Sequence, residues 1–402
     1  MKATFAEDGV MSQAAPARIA PPAADFSLCV LSATEALADP NLPRDWDQCA
    51  SMEQPDATRQ TIAWIEHLMA NGRKARVAMV RDGSAQPAGY VPLLEENQKL
   101  TFAVRGKVLF NKRFNALSIA GSLPMLPEDT RTYDLLFSWI RQHERRCGCV
   151  FMLSVPLDSY LWNYLQTADE IRNHWALYTP TGPYPYYSLV LPDSFSDYLS
   201  RWDKKSRYNL RRTVKCLEQH GDGQLGLLRV DKSGQIDEFL TDALHVSGNS
   251  WQRVLLTIPL AEPADRRTFL DEAAQSGILR SYVLKCGGVA CAFVVGLQSG
   301  SVFHYFETAY DQAFAQYSPG KVITYLLIED LFAHDKPRML AFGKGDMDYK
   351  EWFSNRRQEE TSIFLFRPTL RNLTWRGAHR LFDKGVCAAK RLLGRRAAGT
   401  KS

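Results

Sequence analysis

The chain has 402 residues, 45% of them hydrophobic, which is enough for two ordinary domains or one duplicated unit with real cores. No apolar run approaches the ~20 residues that cross a bilayer, so the sequence excludes a membrane-spanning helix. The net charge of +5 arises at the C-terminus, where residues 367–402 carry ten Lys/Arg and one acid, so no general nucleic-acid-binding surface is expected on the body.

Residues 1–25 are predicted to form a disordered leader, because residues 10–25 are rich in Ala and Pro. This segment lacks the continuous apolar core of a secretory signal. The eight cysteines form no C-x-x-C pair and, like the eight histidines, show no zinc spacing. Reduced thiols, no metal and a cytoplasmic location are therefore expected.

The next segments predict an α/β unit. Residues 75–96 contain two β-rich runs around a Gly-containing turn. A further strand-like segment, a helix at about Thr130–Arg145 and a strand at Val150–Val155 follow. The proline-rich segment near Thr179–Tyr186 cannot be helical, and it is predicted to be a linker.

The same order of elements recurs after the linker. Residues 279–298 contain two β-rich runs around a tight Gly287-Gly288 turn, and a helix at about Pro319–Ala333 leads to a strand at Arg338–Phe342. Antiparallel strands that feed a helix-linked final strand form a mixed α/β unit, so the sequence predicts two copies of it.

Beyond Pro368 the sequence alternates apolar and basic residues, which predicts a basic amphipathic helix over residues 368–402. Two arrangements fit this pattern. In one, the helix lies on an anionic membrane surface. In the other, it packs on the body of the protein and frays at its charged end.

Residues 201–215 carry seven cationic side chains and one acid, Asp203. This segment is either a solvated helix face or a binding site for phosphate groups. The candidate phosphate ligands are Lys205, Arg207 and Arg211. Further along, residues 247–252 have the sequence S-G-N-S-W-Q, which either lines an acceptor pocket or anchors a helix in the core. The candidate pocket residues there are Trp251 and Gln252.

The segment Ser318-Pro319-Gly320-Lys321 is predicted to begin a buried helix. Ser318 stands at the N-cap position, Pro319 suits the first helical position, and Gly320 allows another group to approach the backbone closely. Free N–H groups and the positive end of the helix dipole favour a pyrophosphate there, and Lys321 adds a charge. The alternative is an ordinary capped helix that binds nothing.

A second polar cluster follows the last predicted strand. Residues 341–353, A-F-G-K-G-D-M-D-Y-K-E-W-F, present Asp346, Tyr349 and Lys350 just after a buried strand, where α/β folds place their ligands. The alternative is a polar loop without a ligand. No third carboxylate accompanies Asp346 and Asp348 at a metal spacing, so Mg²⁺ is not expected.

Five segments between residues 204 and 352 resemble the cellulose-biosynthesis-associated acetyltransferases, the CelD/BcsL type of the GNAT superfamily. They are K-K-S-R-Y-N-L-R-R, S-W-Q, F-E-T-A-Y-D, Y-S-P-G-K and F-G-K-G-D-M-D-Y-K-E-W. The resemblance runs from about Phe26 to Arg367. It implies an α/β, mixed α+β fold with tandem GNAT-like domains, mixed and mostly antiparallel sheets, and a basic C-terminal helix.

The domain boundaries that follow are 26–185 for an N-terminal domain without cofactor, 186–367 for a domain that binds acyl-CoA, and 368–402 for the tail. In GNAT enzymes acyl-CoA lies where the fourth strand splays from its neighbour, and its pyrophosphate meets the next helix. The resemblance therefore places an acyl-CoA, with acetyl-CoA as the expected co-substrate, at Gln316, Ser318, Gly320 and Lys321. The corresponding segment of the first copy, S-L-P-M-L-P-E-D, has no comparable cradle.

The resemblance also implies that an amine or hydroxyl attacks the thioester directly, which requires a base and is helped by an acid. Glu307 is the expected base and Asp346 the alternative. Candidates for the acid or for positioning roles are Tyr310, Tyr349 and His304. Lys350 is expected to contact the substrate.

The expected function is acyl transfer to an envelope or exopolysaccharide building block, in the cytoplasm or at the inner face of the membrane. The expected partner is a small-molecule, sugar or lipid acceptor, and no nucleic acid is expected. Three alternatives remain open at this point. They are N-acylation of a lipid amine at the membrane, Fem-like transfer from aminoacyl-tRNA, and a non-catalytic scaffold in a polysaccharide-synthase complex.

Overall fold

A computed structural model describes residues 25–49, 57–70, 72–104, 107–250 and 263–399. The predicted leader, apart from Asp25, and the candidates Trp251 and Gln252 lie outside these ranges.

The N-terminal half of the described chain contains six strands and six α-helices. They are β1 (Ser27–Ser32), α1 (Ala33–Leu37), α2 (Leu42–Cys49), α3 (Ile62–Ala70), β2 (Ala75–Arg81), β3 (Pro87–Val104), β4 (Lys107–Ile119), α4 (Thr130–His143), β5 (Cys149–Pro156), α5 (Tyr160–Thr167), α6 (Asp169–His174) and β6 (Ala176–Tyr178). A 3₁₀ turn at Ala57–Gln60 precedes α3.

The C-terminal half contributes seven strands and seven α-helices to the described structure. They are β7 (Tyr184–Val190), α7 (Phe195–Ser200), α8 (Lys204–His220), β8 (Leu225–Val230), α9 (Ile236–Gly248), α10 (Pro263–Gln275), β9 (Ser281–Cys286), β10 (Val289–Ser299), β11 (Val302–Tyr310), α11 (Pro319–Ala333), β12 (Met339–Lys344), α12 (Asp348–Phe353), β13 (Arg356–Phe366) and α13 (Leu370–Gly399). Short 3₁₀ turns at Ser233–Gln235 and Gln312–Tyr317 precede α9 and α11.

All thirteen strands join one mixed sheet in the order β1-β2-β3-β4-β5-β13-β7-β12-β11-β10-β9-β8, with β6 paired to β13. The pairing is antiparallel throughout the described sheet except at β4–β5 and β11–β12, which are parallel. Strand β13 lies between β5 and β7, so the last strand of the chain joins the two halves of the sheet.

The two halves repeat one arrangement. In each, antiparallel strands lead to a strand that passes through a helix into a parallel neighbour, namely β4–α4–β5 and β11–α11–β12. In each, a residue with left-handed backbone follows two positions after the last parallel pair, Ser154 (φ 55°) in β5 and Gly343 (φ 78°) in β12. Both coincide with a register shift against the next antiparallel strand. The predicted tandem, mixed α/β fold is therefore confirmed.

The second half has a core on each face of the sheet. On one face α8 and α11 pack through Leu210, Leu217 and Ile323 against inward residues of β9–β12. On the other face α9 and α10 pack through residues such as Phe239 and Leu270. Helix α11 is apolar on most of its circumference, because it lies between the sheet and α8.

The C-terminal helix α13 packs on the body, as one of the two predicted arrangements has it. Its residues Trp375, His379 and Phe382 surround Phe102 of β3, with ring centroids 4.7–6.4 Å away. Helix α13 is therefore held by its aromatic side, at least through this part of its length. None of the described helices is both long enough and apolar enough to span a bilayer.

Candidate active site

The parallel strands β11 and β12 separate part-way along their length. They pair over three residue pairs and part after His304 and Ala341, although β11 continues to Tyr310 and β12 to Lys344. A bulge against β10 leaves Phe306 without a partner at this point, and bulges bend the strand that carries them. The result is a wedge-shaped opening between two central strands, which we call the splay.

Hydroxyl groups and aromatic rings line the splay. The Tyr305 hydroxyl lies 3.2 Å from the hydroxyls of both Thr308 and Thr324, the latter from α11. The ring of Tyr349, from α12, lies 6.3 Å from that of Tyr305. Burial raises the pKa of Tyr349, and the nearby Tyr305 adds to the rise. Its hydroxyl therefore keeps its proton throughout the neutral range.

Helix α11 begins beside this opening with an uncapped N-terminus. Ser318 occupies the N-cap position, as predicted, but its backbone is left-handed (φ 52°) and its side chain makes no capping hydrogen bond. Its carbonyl accepts from the N–H groups of Lys321 and Val322. The Gly320 N–H donates to no group of the described residues. An open amide, the helix dipole and the exposed Lys321 suit an anionic group such as a pyrophosphate.

Aromatic side chains frame this helix end. A Cβ built on Gly320 would lie 3.5 Å from Cδ1 of Tyr310, so Tyr310 forms one wall. Tyr317 stacks on His220, the last residue of α8, with ring centroids 4.4 Å apart. Gln316 is exposed in the 3₁₀ turn before the helix. Four predicted ligands, Gln316, Ser318, Gly320 and Lys321, thus lie together with Tyr310.

The equivalent helix end of the first copy is closed. The Asp129 carboxylate caps α4 by accepting from the Arg131 N–H at 2.9 Å, and it also pairs with the Arg131 guanidinium. A fixed carboxylate at a helix N-terminus satisfies the free amides and repels a second anion. The rings of Tyr160 and Tyr164 pack on Tyr133 of the same helix, 5.5 and 5.1 Å away.

Glu307 lies in the splayed part of β11, but its side chain points away from α11. Strand alternation would place Glu307 on the same face as Tyr305. The bulge at Phe306 turns it to the face covered by α10 instead, where Arg266 Nη1 donates to its carboxylate at 2.8 Å. The Glu307 side chain is 34% exposed and that of Arg266 is 17% exposed. The Glu307 carboxylate therefore lies on the face of the sheet opposite α11, in the part of β11 that forms the splay.

The loop after β12 holds the remaining candidates from that segment. Asp346 accepts from the Tyr187 hydroxyl of β7 at 3.1 Å. Lys350 is buried, and its ammonium donates to the Lys344 carbonyl at 2.7 Å. Burial and the charge of Lys344 lower the pKa of Lys350 to about 8. Lys350 therefore ties the start of α12, which carries Tyr349, to the end of β12 across the loop that contains Asp346.

The basic helix α8 runs antiparallel to α11. Its last residue, His220, contacts Tyr317, whereas Arg211 lies beside Tyr325, two turns into α11. The nine residues from Arg211 to His220 span about 14 Å of helix. The three candidates Lys205, Arg207 and Arg211 are therefore not brought to the Ser318–Lys321 turn. They lie along the helix that flanks it.

Several residues of the site are not apparent from sequence patterns. Thr308 and Thr324 occupy ordinary strand and helix positions, and their hydroxyls meet Tyr305 only through the folded sheet. Arg266 is one charged residue among many on α10. Within the described residues, no group of three or more His, Cys, Asp or Glu is placed to hold a metal ion.

Comparison with known proteins agrees with this geometry. The family described as "Acetyltransferase (GNAT) domain" matches residues 204–351, from the start of α8 to the middle of α12. The chain is an acyltransferase. Domains of this type use acyl-CoA and bind a small-molecule acceptor, and the matched segment contains the splay, the open end of α11, Glu307 and Tyr349.

Two solved structures align with most of the chain. The crystal structure of FemX aligns with a TM-score of 0.58 at 11% identity, covering 85% of this chain and 97% of FemX, which shows the shared fold. A tandem GNAT protein from the clavulanic acid biosynthesis pathway, without AcCoA, aligns with a TM-score of 0.48 at 12% identity, covering 86% of this chain and 100% of that protein. Among curated protein sequences, none matches the chain.

Proposed function

We propose that this acyltransferase moves an acyl group, with acetyl as the first choice, from acyl-CoA to an amine or hydroxyl of an envelope or exopolysaccharide building block. The observation that carries the proposal is the uncapped N-terminus of α11 beside the splay between β11 and β12. The segment-by-segment resemblance to the cellulose-biosynthesis-associated acetyltransferases supports the choice of acceptor class.

In this proposal the second half alone, residues 186–367, holds acyl-CoA. The Gly320 amide and the Lys321 ammonium bind its pyrophosphate, while Gln316 and Ser318 border the same anion. The Tyr310 ring packs beside Gly320 at the start of α11. The first half, residues 26–185, carries Asp129 at the matching place and serves structure or acceptor binding.

The bound acyl-CoA supplies an activated thioester, and the chain's own residues handle the protons. Glu307 takes the proton that the acceptor nitrogen or oxygen loses as it bonds to the acyl carbon. Tyr349 donates its phenolic proton to the sulfur as the carbon–sulfur bond breaks. Arg266 fixes the orientation of Glu307 through their 2.8 Å hydrogen bond. Asp346, held by Tyr187, is the alternative base.

The acceptor approaches, in this proposal, from the face of the sheet that α10 covers, because Glu307 points there. The solvent-facing cations of α8 and the buried Lys350 contact anionic or polar groups of the bound substrates. The predicted substrate contacts are Lys205, Arg207, Arg211, Trp251, Gln252 and Lys350. The first three belong to α8, which packs on the other face of the sheet together with α11.

The test is a binding and turnover experiment on the full chain. Isothermal titration with acetyl-CoA and with palmitoyl-CoA measures which donor binds. Mass spectrometry then detects acylated product from glucosamine, a hydroxylated oligosaccharide and a lipid amine. Binding of one donor with transfer to a sugar supports the proposal. Transfer only to the lipid amine would show that the acceptor is a lipid and not a sugar building block. Failure of both donors to bind overturns it.

A further inference from the structure

The hairpin formed by β3 and β4 extends well beyond the rest of the sheet. β3 pairs with β2 only over Pro87–Leu94, and β4 pairs with β5 only over Ala116–Ile119. Between these limits the two strands pair only with each other among the strands that the structure describes. We call residues 96–104 and 107–114 the hairpin arm. Each strand of the arm is about 27 Å long.

The described end of the arm exposes three consecutive apolar side chains. Val108, Leu109 and Phe110 are 52%, 59% and 48% exposed. A strand end that only supported the fold would carry polar residues here, because water surrounds it on several sides. A contiguous exposed apolar group of this kind marks an interaction site.

Helix α13 braces the arm on one side. Trp375 stacks on Phe110 with centroids 5.7 Å apart, and Lys112 lies 5.2 Å over the Trp375 ring. His379 Nε2 lies 3.0 Å from the Thr101 carbonyl, and its Nδ1 lies 2.7 Å from the Tyr178 hydroxyl. A two-stranded hairpin is marginal alone, so these contacts make the arm and the helix one rigid unit.

This unit is strongly cationic. Residues 96–114 carry five Lys/Arg and one acid, Glu96, and residues 370–384 carry four Lys/Arg and one acid, Asp383. That carboxylate lies 3.0 Å from Nδ1 of His379. Lys107, Arg113 and Arg380 are exposed. Apolar side chains surrounded by cations match the surface of an anionic bilayer, where the apolar groups insert and the cations face lipid phosphates.

We propose that the arm tip, Val108–Phe110, inserts into an anionic lipid surface and that the cations of the arm and of α13 hold it there. The helix alone cannot lie on the bilayer by its aromatic side, because Trp375 and Phe382 pack against Phe102. The arm supplies the apolar insertion that the basic helix lacks. Two modest signals together give stable anchoring where each alone is weak.

The arm belongs to the first half of the sheet, whereas the proposed acyl-CoA site belongs to the second half. Membrane binding by the arm can therefore be tested separately from the proposed chemistry. The experiment is cosedimentation of the full chain with phosphatidylglycerol-rich vesicles and with pure phosphatidylcholine vesicles, at low and high salt and without acyl-CoA. We expect binding to the anionic vesicles that falls steeply with salt.

Three variants test which residues act. Val108→Ser with Leu109→Ser, and separately Lys107→Gln with Arg113→Gln, are each expected to weaken vesicle binding about tenfold. Val289→Ser with Leu244→Ser, which changes exposed apolar residues of the second half, is the matched control and leaves binding unchanged. All three keep the melting temperature, because they alter exposed side chains.

Three results overturn the inference. One is equal binding to neutral and anionic vesicles. Another is undiminished binding by both arm variants. The third is light scattering that shows self-association of the wild-type chain which the Val108→Ser, Leu109→Ser variant abolishes, since the arm tip is then a contact between copies of the protein.

Discussion

Arg266 donates to the Glu307 carboxylate at 2.8 Å from the face of the sheet opposite α11. The pair therefore places an oriented carboxylate on one side of β11 while the open end of α11 lies on the other. The strand that carries Glu307, β11, also forms one edge of the splay. An acyl group held in the splay would present its carbonyl carbon to an acceptor on the Glu307 side.

Replacing Glu307 with Gln should lower kcat by about 10²-fold or more, because proton removal from the acceptor is lost while shape is kept. The dissociation constant for acetyl-CoA should stay within about twofold of the wild-type value, since Glu307 lies on the face of the sheet opposite the N-terminus of α11. Steady-state kinetics with titration calorimetry measures both. Glu66→Gln, an exposed carboxylate of α3, is the control.

Asp346→Asn separates the two candidate bases. If Asp346 serves only to hold its loop by accepting from the Tyr187 hydroxyl, the variant should have a slightly lower kcat and a lower melting temperature. A loss of about 10²-fold for Asp346→Asn together with a near-normal Glu307→Gln would reverse the assignment.

Gly320→Ala should change stability and binding in opposite directions. Alanine is the better helix former, by up to about 1 kcal/mol, and its Cβ would make an ordinary 3.5 Å contact with Tyr310. The methyl group would nevertheless stand where an anion approaches the Gly320 amide. We expect a slightly raised melting temperature and a dissociation constant for acetyl-CoA raised about tenfold.

The control for that change is Gly377→Ala in α13, where a Cβ meets nothing within 4 Å. It should stabilise the helix without changing acetyl-CoA binding. Unchanged binding in Gly320→Ala would show that the anion does not approach this amide.

Tyr349→Phe should lower kcat about 10- to 10²-fold and leave KM for the donor nearly unchanged, because it removes a proton donor and keeps the ring. Burial raises the pKa of Tyr349, so the wild-type rate should not decline through loss of this proton between pH 7 and 9. Tyr208→Phe, at an exposed position of α8, is the control. An unaltered kcat in Tyr349→Phe would remove the acid from the proposed chemistry.

His304 should make the fold sensitive to acid. Burial, reinforced by the charge of Arg59, lowers the pKa of His304 to about 3 from the usual 6.5, so the unfolded chain binds this proton more readily. Stability should therefore rise with pH between about 3 and 6.5 and level off above, with about 2 kcal/mol lost at pH 5.

Urea unfolding at pH 5 and pH 7.5 measures this effect. His304→Leu should reduce the difference between the two pH values by about 2 kcal/mol, whereas His174→Leu, at an exposed position, should not. An equal pH dependence in wild type and His304→Leu would contradict a neutral buried imidazole.

Local signals made much of the fold predictable. The helix Pro319–Ala333 was bounded at both ends, by Pro at its first position and by the change of pattern after Ala333. The Gly287-Gly288 turn lies between β9 and β10 as predicted, since both glycines have positive φ. The predicted helix at about Thr130–Arg145 ends at His143.

Features that depend on distant partners were not predictable. Strand β13 lies between β5 and β7, and no local sequence pattern predicts this pairing. The face chosen by Glu307 depends on one extra residue, Phe306, opposite β10. The sequence of α13 predicts an amphipathic helix with an apolar side. Only the folded structure shows that Phe102 packs against that side. The Asp129 cap of α4, and its contrast with the open end of α11, appear only in the folded structure.

The most direct test of the account is the stoichiometry of acetyl-CoA binding, measured by calorimetry on the full chain and on a Gly320→Asp, Lys321→Glu variant. The account predicts one site per wild-type chain and no detectable binding by the variant, because two carboxylates then stand at the end of α11 that receives the pyrophosphate. Two sites per chain, or undiminished binding by a folded variant, would contradict it.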